Sequence, residues 1–154
     1  MPRQRVRREP GAIILDASRR EFPNHSKSEL QDLADKLVFN DLDAIVRCIE
    51  FICAETRGNW HGRARAMMCR HLKHCPVNKE QRERLVTCIT GRLGEGNFSE
   101  QFYDQLRLAL CFDRQATFAA ARKSLSESPK AYVRRYSSWV LEHDSSRDPE
   151  GRDY

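Results

Sequence analysis

The stretch Asp41–Cys53, DLDAIVRCIEFIC, decides the fold class. Its apolar residues Leu42, Ile45, Val46, Ile49, Ile52 and Cys53 recur at steps of three and four, the spacing of one face of an α-helix. β-branched residues are frequent in it, but its length and period exclude a strand. Asp41 stands where an N-cap carboxylate accepts from the first free backbone N–H groups. The segment predicts a helix opened by Asp41 and ended by Gly58.

Similar signals recur on both sides. Ser28 with Gln31 reads as a capping box opening a helix to about Phe39. A third helix runs from about Trp60 to His74 and is stopped by Pro76. Asn78 with Gln81 is a second capping box, followed by the stripe Leu85, Val86, Ile89 and Leu93, which Gly94 and Gly96 end. Ser99 is placed to cap a fifth helix carrying Phe102, Leu106, Ala109 and Leu110. Asp113 is placed to cap a sixth carrying Ala116, Phe118, Ala119, Ala120 and Leu125. Pro129 suits the first turn of a seventh, with Tyr132, Val133, Tyr136, Val140 and Leu141. The connections are short, which favours antiparallel neighbours. The expectation is an all-α chain of about seven helices.

Composition agrees with this. A chain of 154 residues suits one domain, and its seven Gly and six Pro are too few for a turn-rich β-sandwich. Residues 1–25 read as a basic, partly disordered arm, with Arg3, Arg5, Arg7 and Arg8 before Pro10-Gly11. Residues 26–143 form the helical domain, and 144–154 an acidic, frayed tail. The apolar run Ala12–Leu15 is shorter than the roughly 7–15 residues of a secretory signal, and nothing approaches the roughly 18 of a membrane span. The six cysteines fall mostly at apolar helix positions, as free thiols of a reducing compartment do. A cytoplasmic location without membrane association follows as an expectation.

Three segments end alike: Ala64–Leu72 (ARAMMCRHL), Phe102–Leu110 (FYDQLRLAL) and Val133–Leu141 (VRRYSSWVL), with closing leucines 38 and 31 residues apart. Two helices per period of this size belong to α-solenoids. The last of them, SPKAYVRRYSSWVLEH, resembles a HEAT-type repeat at Pro129, Val133, Arg134, Ser137 and Leu141. Ala64 and Arg65 match more weakly, and the middle copy lacks the Val-Arg pair. The resemblance covers residues 41–143 and is specific only in the final repeat. It implies a short right-handed α-solenoid of antiparallel helix hairpins. Proteins of this kind mostly bind other proteins on a concave surface, while a minority bind DNA or act as lyases or glycosylases.

Charge points to where a partner would sit. The net charge is +5, yet residues 57–75 hold five basic residues, three histidines and no acid, while residues 142–154 hold five acids and two arginines. On a helical wheel Arg63, Arg70 and Lys73 lie together on one flank of the third helix. Trp60, Ala64, Met67, His71, Leu72 and Cys75 share the neighbouring face, expected to be buried. A cationic stripe of this kind recognises an acidic protein surface or phosphates. The competing reading is a solvated face whose charges pair with acids such as Glu50 or Glu55. Arg134, Arg135 and Trp139 on the seventh helix form a second cluster of residue types enriched at interface hot spots. The expected partner is an acidic protein, bound through Arg63, Arg70, Lys73, Arg134, Arg135 and Trp139. The alternative ligand is nucleic acid, held by the same stripe and the arginine-rich arm.

No constellation for catalysis stands out. Cys69 lies among basic residues, which favour a thiolate, but no His–acid pair is readable beside it. Cys69, His71, His74 and Cys75 cannot converge on one metal ion from a single regular helix, because Cys69 lies about 150° around from His71. A fourth ligand would have to come from Cys48 or Cys88. Core packing is the expected role of His71 and Cys75. There is no Gly-rich phosphate loop or dinucleotide fingerprint. The reading is a binding protein with no catalytic residue, no metal and no cofactor.

Overall fold

Ser26 opens the first helix. Its hydroxyl accepts from the Glu29 N–H at 3.2 Å while Glu29 Oε1 accepts from the Ser26 N–H at 2.8 Å, a reciprocal box that satisfies two end donors. The cap expected at Ser28 therefore lies two residues earlier, because Glu29 and not Gln31 is the third helical residue. In this computed structural model, which describes residues 26–54, 60–98 and 101–143, the chain is all-helical with no strand among those residues.

Among the described residues seven α-helices follow one another: α1 (Lys27–Asp35), α2 (Leu42–Cys53), α3 (His61–Leu72), α4 (Lys79–Glu95), α5 (Tyr103–Phe112), α6 (Arg114–Glu127) and α7 (Ala131–Leu141). A 3₁₀ turn, Lys36–Phe39, prolongs α1. Asn40 then reverses the chain at φ 56°, a left-handed conformation that asparagine tolerates better than most residues. Asp41, Asn78 and Asp113 cap α2, α4 and α6 as their positions predict, each accepting from the backbone N–H three residues on. Ser99 lies outside the described residues, as do the arm before residue 26 and the tail after residue 143. Pro129 precedes α7 by two residues, and Ser128 on its other side binds the Lys130 N–H.

α4 is closed by a Schellman arrangement. The Asn97 N–H reaches the Arg92 carbonyl at 3.1 Å and the Gly96 N–H reaches that of Leu93 at 3.2 Å, with Gly96 at φ 73°. Gly96 is required twice over. A Cβ there would lie 2.8 Å from Tyr132 Oη and 2.9 Å from Lys130 Cδ, and both side chains donate to the carbonyls of Gly96 and Glu95.

Successive helices pack on one another except α3 and α4, and α1, α2, α3 and α4 also pack on the next but one. α5 and α7 meet through aromatic side chains. One continuous core results, running from Leu30 on α1 to Leu141 on α7. Two stripes are rotated relative to the wheel reading. On α2 the buried face is Ala44, Ile45, Cys48, Ile49, Phe51 and Ile52, whereas Leu42 and Val46 stay exposed beside Val38 and Phe39. On α3 the core takes Ala64, Met68, Cys69 and Leu72, while Met67 and His71 are only half-buried. Both helices meet neighbours on two sides, so the side that is covered is set by packing and not by the helix's own apolar centroid.

Candidate functional site

The basic helix α3 has two kinds of arginine. Arg65 points inward: it is buried, lies 5.0 Å over the Phe51 ring and donates to the Ala54 carbonyl at 3.0 Å. Arg92, also buried, reaches the same oxygen from α4 at 3.2 Å and donates to Gln105 Oε1 at 2.9 Å. Ala54 closes α2, where unpaired carbonyls and the negative end of the helix dipole gather. Two guanidinium groups therefore cap α2 from neighbouring helices. This gives Arg65, which lies off the Arg63–Arg70–Lys73 stripe, a structural task.

Arg63 and Arg70 point outward into a groove between α3 and α5 of about 470 Å³. Trp60, Arg63, Arg70, Tyr103, Asp104 and Arg107 line it, with Met67 and Ala66. Arg70 donates to Asp104 Oδ2 at 2.7 Å and Arg107 to Asp104 Oδ1 at 3.1 Å. The expected alternative pairing of the stripe with Glu50 does not occur, since Glu50 is buried and takes Arg84 of α4. Glu55 lies outside the described residues. Two arginines thus share one carboxylate, and Arg63 lines the same groove. Among the described residues no hydrogen bond or ion pair is found for Arg63. Trp60, at the N-terminal end of α3, holds φ 74°, a left-handed conformation costly for a bulky residue. Lys27 lies 4.6 Å from its ring centroid.

The groove continues into an aromatic ladder. Tyr103 stacks on Tyr136 at 4.4 Å and meets Trp139 at 4.7 Å, and Trp139 meets His143 at 4.3 Å. Arg107 sits 5.2 Å over the Trp139 ring. Arg107 therefore joins the α3 stripe to the α7 cluster. Arg63 and Arg70 line the groove, and Trp139 touches two other residues of its lining, Tyr103 and Arg107. Lys73 lies at the C-terminal end of α3, half-buried and outside the groove lining. Arg134 is committed to the Ser128 carbonyl at 2.7 Å, where it holds the end of α6, and Arg135 is exposed. Asp104 and Arg107 were not singled out from the sequence. They lie 34 and 37 residues beyond Arg70 on another helix, and nothing local in the sequence marks them as its partners.

All six cysteines are free thiols. Cys69, deep in the core, is pushed well up from the usual 9.0 by burial and then by Asp104, against the pull of Arg92 and Arg65. It is a packing residue, not an activated nucleophile. Cys75 donates to the carbonyls of Leu37 and His71, and Cys48 to that of Leu33. Among the described residues no group of three or more His, Cys, Asp or Glu side chains is placed to hold a metal ion. Nor is any helix among them long and apolar enough to cross a membrane.

The chain matches no family model, no curated protein and no solved structure. Its functional reading rests on the groove itself.

Proposed function

We propose that the chain is a non-enzymatic, HEAT-like adaptor that binds an acidic segment of a partner protein in the groove between α3 and α5. The observation that carries this reading is the excess of guanidinium over carboxylate there: Arg63, Arg70 and Arg107 against Asp104 alone. Arginine forks match carboxylates in bidentate geometry, and an incoming Asp or Glu competes for positions that Asp104 already occupies. Trp60, Tyr103 and Trp139 supply rigid apolar area beside these charges, the combination enriched at interface hot spots. Among the described residues the groove brings together only three arginines, few for tracking a phosphate backbone, which favours a peptide over a nucleic acid. Here Arg65 and Arg92 are committed to Ala54, and Arg134 to Ser128. The HEAT-like resemblance supports the same reading, because such repeats serve mainly as protein-binding scaffolds.

Titration with an Asp/Glu-rich peptide carrying one aromatic residue tests it, read by the fluorescence of Trp60 and Trp139. Saturable binding that weakens in Arg63→Glu/Arg70→Glu is expected. Equal binding by that variant, or none by the native chain at low salt, overturns the reading. So does a preference for random duplex DNA with a log–log salt slope of several units, which assigns the face to nucleic acid.

A further inference from the structure

Away from the groove, the turn between α1 and α2 carries apolar side chains that the core leaves uncovered. Val38, Phe39, Leu42 and Val46 are 61, 83, 68 and 42% exposed, and among the described residues no other large apolar side chain is as open. They fall within nine residues of one another, on the 3₁₀ turn and the first two turns of α2, around the reversal at Asn40. Leu42 and Val46 lie one turn apart on the flank of α2 that stays exposed, while the rest of that helix enters the core. Acids frame the patch. Asp41 and Asp43 are interleaved with it, and Asp32 and Asp35 approach it along α1, all four exposed, against the exposed Lys36 and the half-buried Arg47. Apolar side chains scattered singly over a surface need no partner, but a cluster rimmed by polar groups marks a contact.

We infer that this patch is the docking surface for a segment of the same chain, residues 12–15 (AIIL), with the arginines on either side of that segment meeting the acids of the rim. Three properties single out this occupant. Residues 12–15 are the longest apolar run before Ser26, and four apolar residues match the four that stand open. The run can reach: ten residues separate Leu15 from Ser26, a span of up to about 35 Å when extended. The patch lies only about 20 Å from Ser26, the combined length of α1 and the 3₁₀ turn. The charges are complementary. Arg3, Arg5, Arg7 and Arg8 precede the run and Arg19 and Arg20 follow it, against Glu9, Asp16 and Glu21. With the run on the patch, the chain between Leu15 and Ser26 returns along α1, so Arg19 and Arg20 pass Asp32 and Asp35.

Size favours a tethered segment over a second copy of the chain. A patch of four side chains offers a few hundred Å², against the roughly 800 Å² per partner of a stable interface. A segment on a short tether is presented at about millimolar effective concentration, so a contact too small to hold a free partner is filled within the chain.

Photocrosslinking of the full chain tests the contact directly. Phe39→p-benzoylphenylalanine places the crosslinker on the most open side chain of the patch, outside the core. Irradiation of a dilute sample followed by trypsin is expected to join position 39 to the tryptic peptide of residues 9–19 of the same molecule. A covalent dimer assigns the patch to a second copy and overturns the inference, as does a link to any other peptide or none at all. Cleavage kinetics give a second readout. Trypsin should cut after Arg19 and Arg20 severalfold faster in Phe39→Ser/Leu42→Ser than in the native chain, and equally fast in Ile13→Ser/Ile14→Ser. The chain carrying all four substitutions should gain nothing further, because both pairs break one contact. Equal rates in all four proteins, or gains that multiply, overturn the inference.

Discussion

Arg70 of α3 and Asp104 of α5 are joined at 2.7 Å across the groove. Asp104 is mostly covered while Arg70 stays more than half exposed, so the carboxylate sits under the guanidinium groups and not outside them. In the proposed reading it occupies, within the chain, the position of an acidic ligand.

Asp104→Asn should therefore release Arg70 and Arg107 from their shared carboxylate. Affinity for an acidic peptide is expected to rise severalfold. Stability should change by no more than about 1 kcal/mol, as for solvent-exposed pairs. Parallel peptide titration and denaturant unfolding separate the two effects, and a loss of affinity would make Asp104 part of the recognition instead.

The buried arginine Arg92 should behave differently. It donates to Gln105 Oε1 at 2.9 Å and to the Ala54 carbonyl at 3.2 Å. Arg92→Met keeps the bulk but leaves Gln105 without this partner and Ala54 with Arg65 alone. A loss of about 2–3 kcal/mol is expected, since removing one partner of a buried polar contact exposes the desolvation cost of the other. Arg63→Ala, on the open face, should stay within about 0.5 kcal/mol. Denaturant midpoints of the two variants check the contrast.

These two arginines show what the sequence carries and what it does not. The caps Asp41, Asn78 and Asp113 were legible because a cap and its target lie three residues apart. The helix count followed from the same short-range periodicities. Which basic residues of Arg57–Cys75 face solvent was not legible, because Arg65 turns inward only to meet Ala54 and Phe51 on another helix. The groove needed α5, and its Asp104 and Arg107 look from the sequence like ordinary surface charges. Long-range complementarity leaves no local pattern in one chain.

Gly96→Ala is expected to lower stability by about 1–3 kcal/mol. The residue sits at φ 73°, and its new methyl would press on Tyr132 Oη at 2.8 Å. Adding Tyr132→Phe should recover part of the loss if the clash with the hydroxyl contributes, whereas backbone strain alone predicts no recovery. Thermal unfolding of the single and double variants decides between them.

Ser137 on α7 is fully buried and its Oγ has no hydrogen-bond partner among the described residues. A small residue is needed there for close helix packing, but a hydroxyl is not. Ser137→Ala should leave the fold intact and raise stability by up to about 1 kcal/mol, the reverse of the usual sign for a buried substitution. A destabilised variant would mean that the hydroxyl is satisfied in solution.

Stability should also fall in alkali through the buried thiols. Burial, helped by Cys75 and opposed by Arg47, pushes Cys48 from 9.0 up to about 12. A group raised in the folded state stabilises fully below its unfolded value and loses that contribution as pH rises toward the folded one. From about pH 9 to 12 the unfolded chain therefore releases a proton that the native chain keeps, and the unfolding free energy drops by about 1.4 kcal/mol per pH unit for this thiol. Cys69, raised for the same first reason, adds to the slope. Replacing Cys48 with Ala creates a small cavity and lowers stability at neutral pH, but it removes one titrating group. Its stability curve above pH 9 should be shallower than that of the native chain by about 1.4 kcal/mol per unit. Urea unfolding at a series of pH values measures both slopes, and parallel curves would show that the Cys48 thiol does not stay protonated in the folded chain.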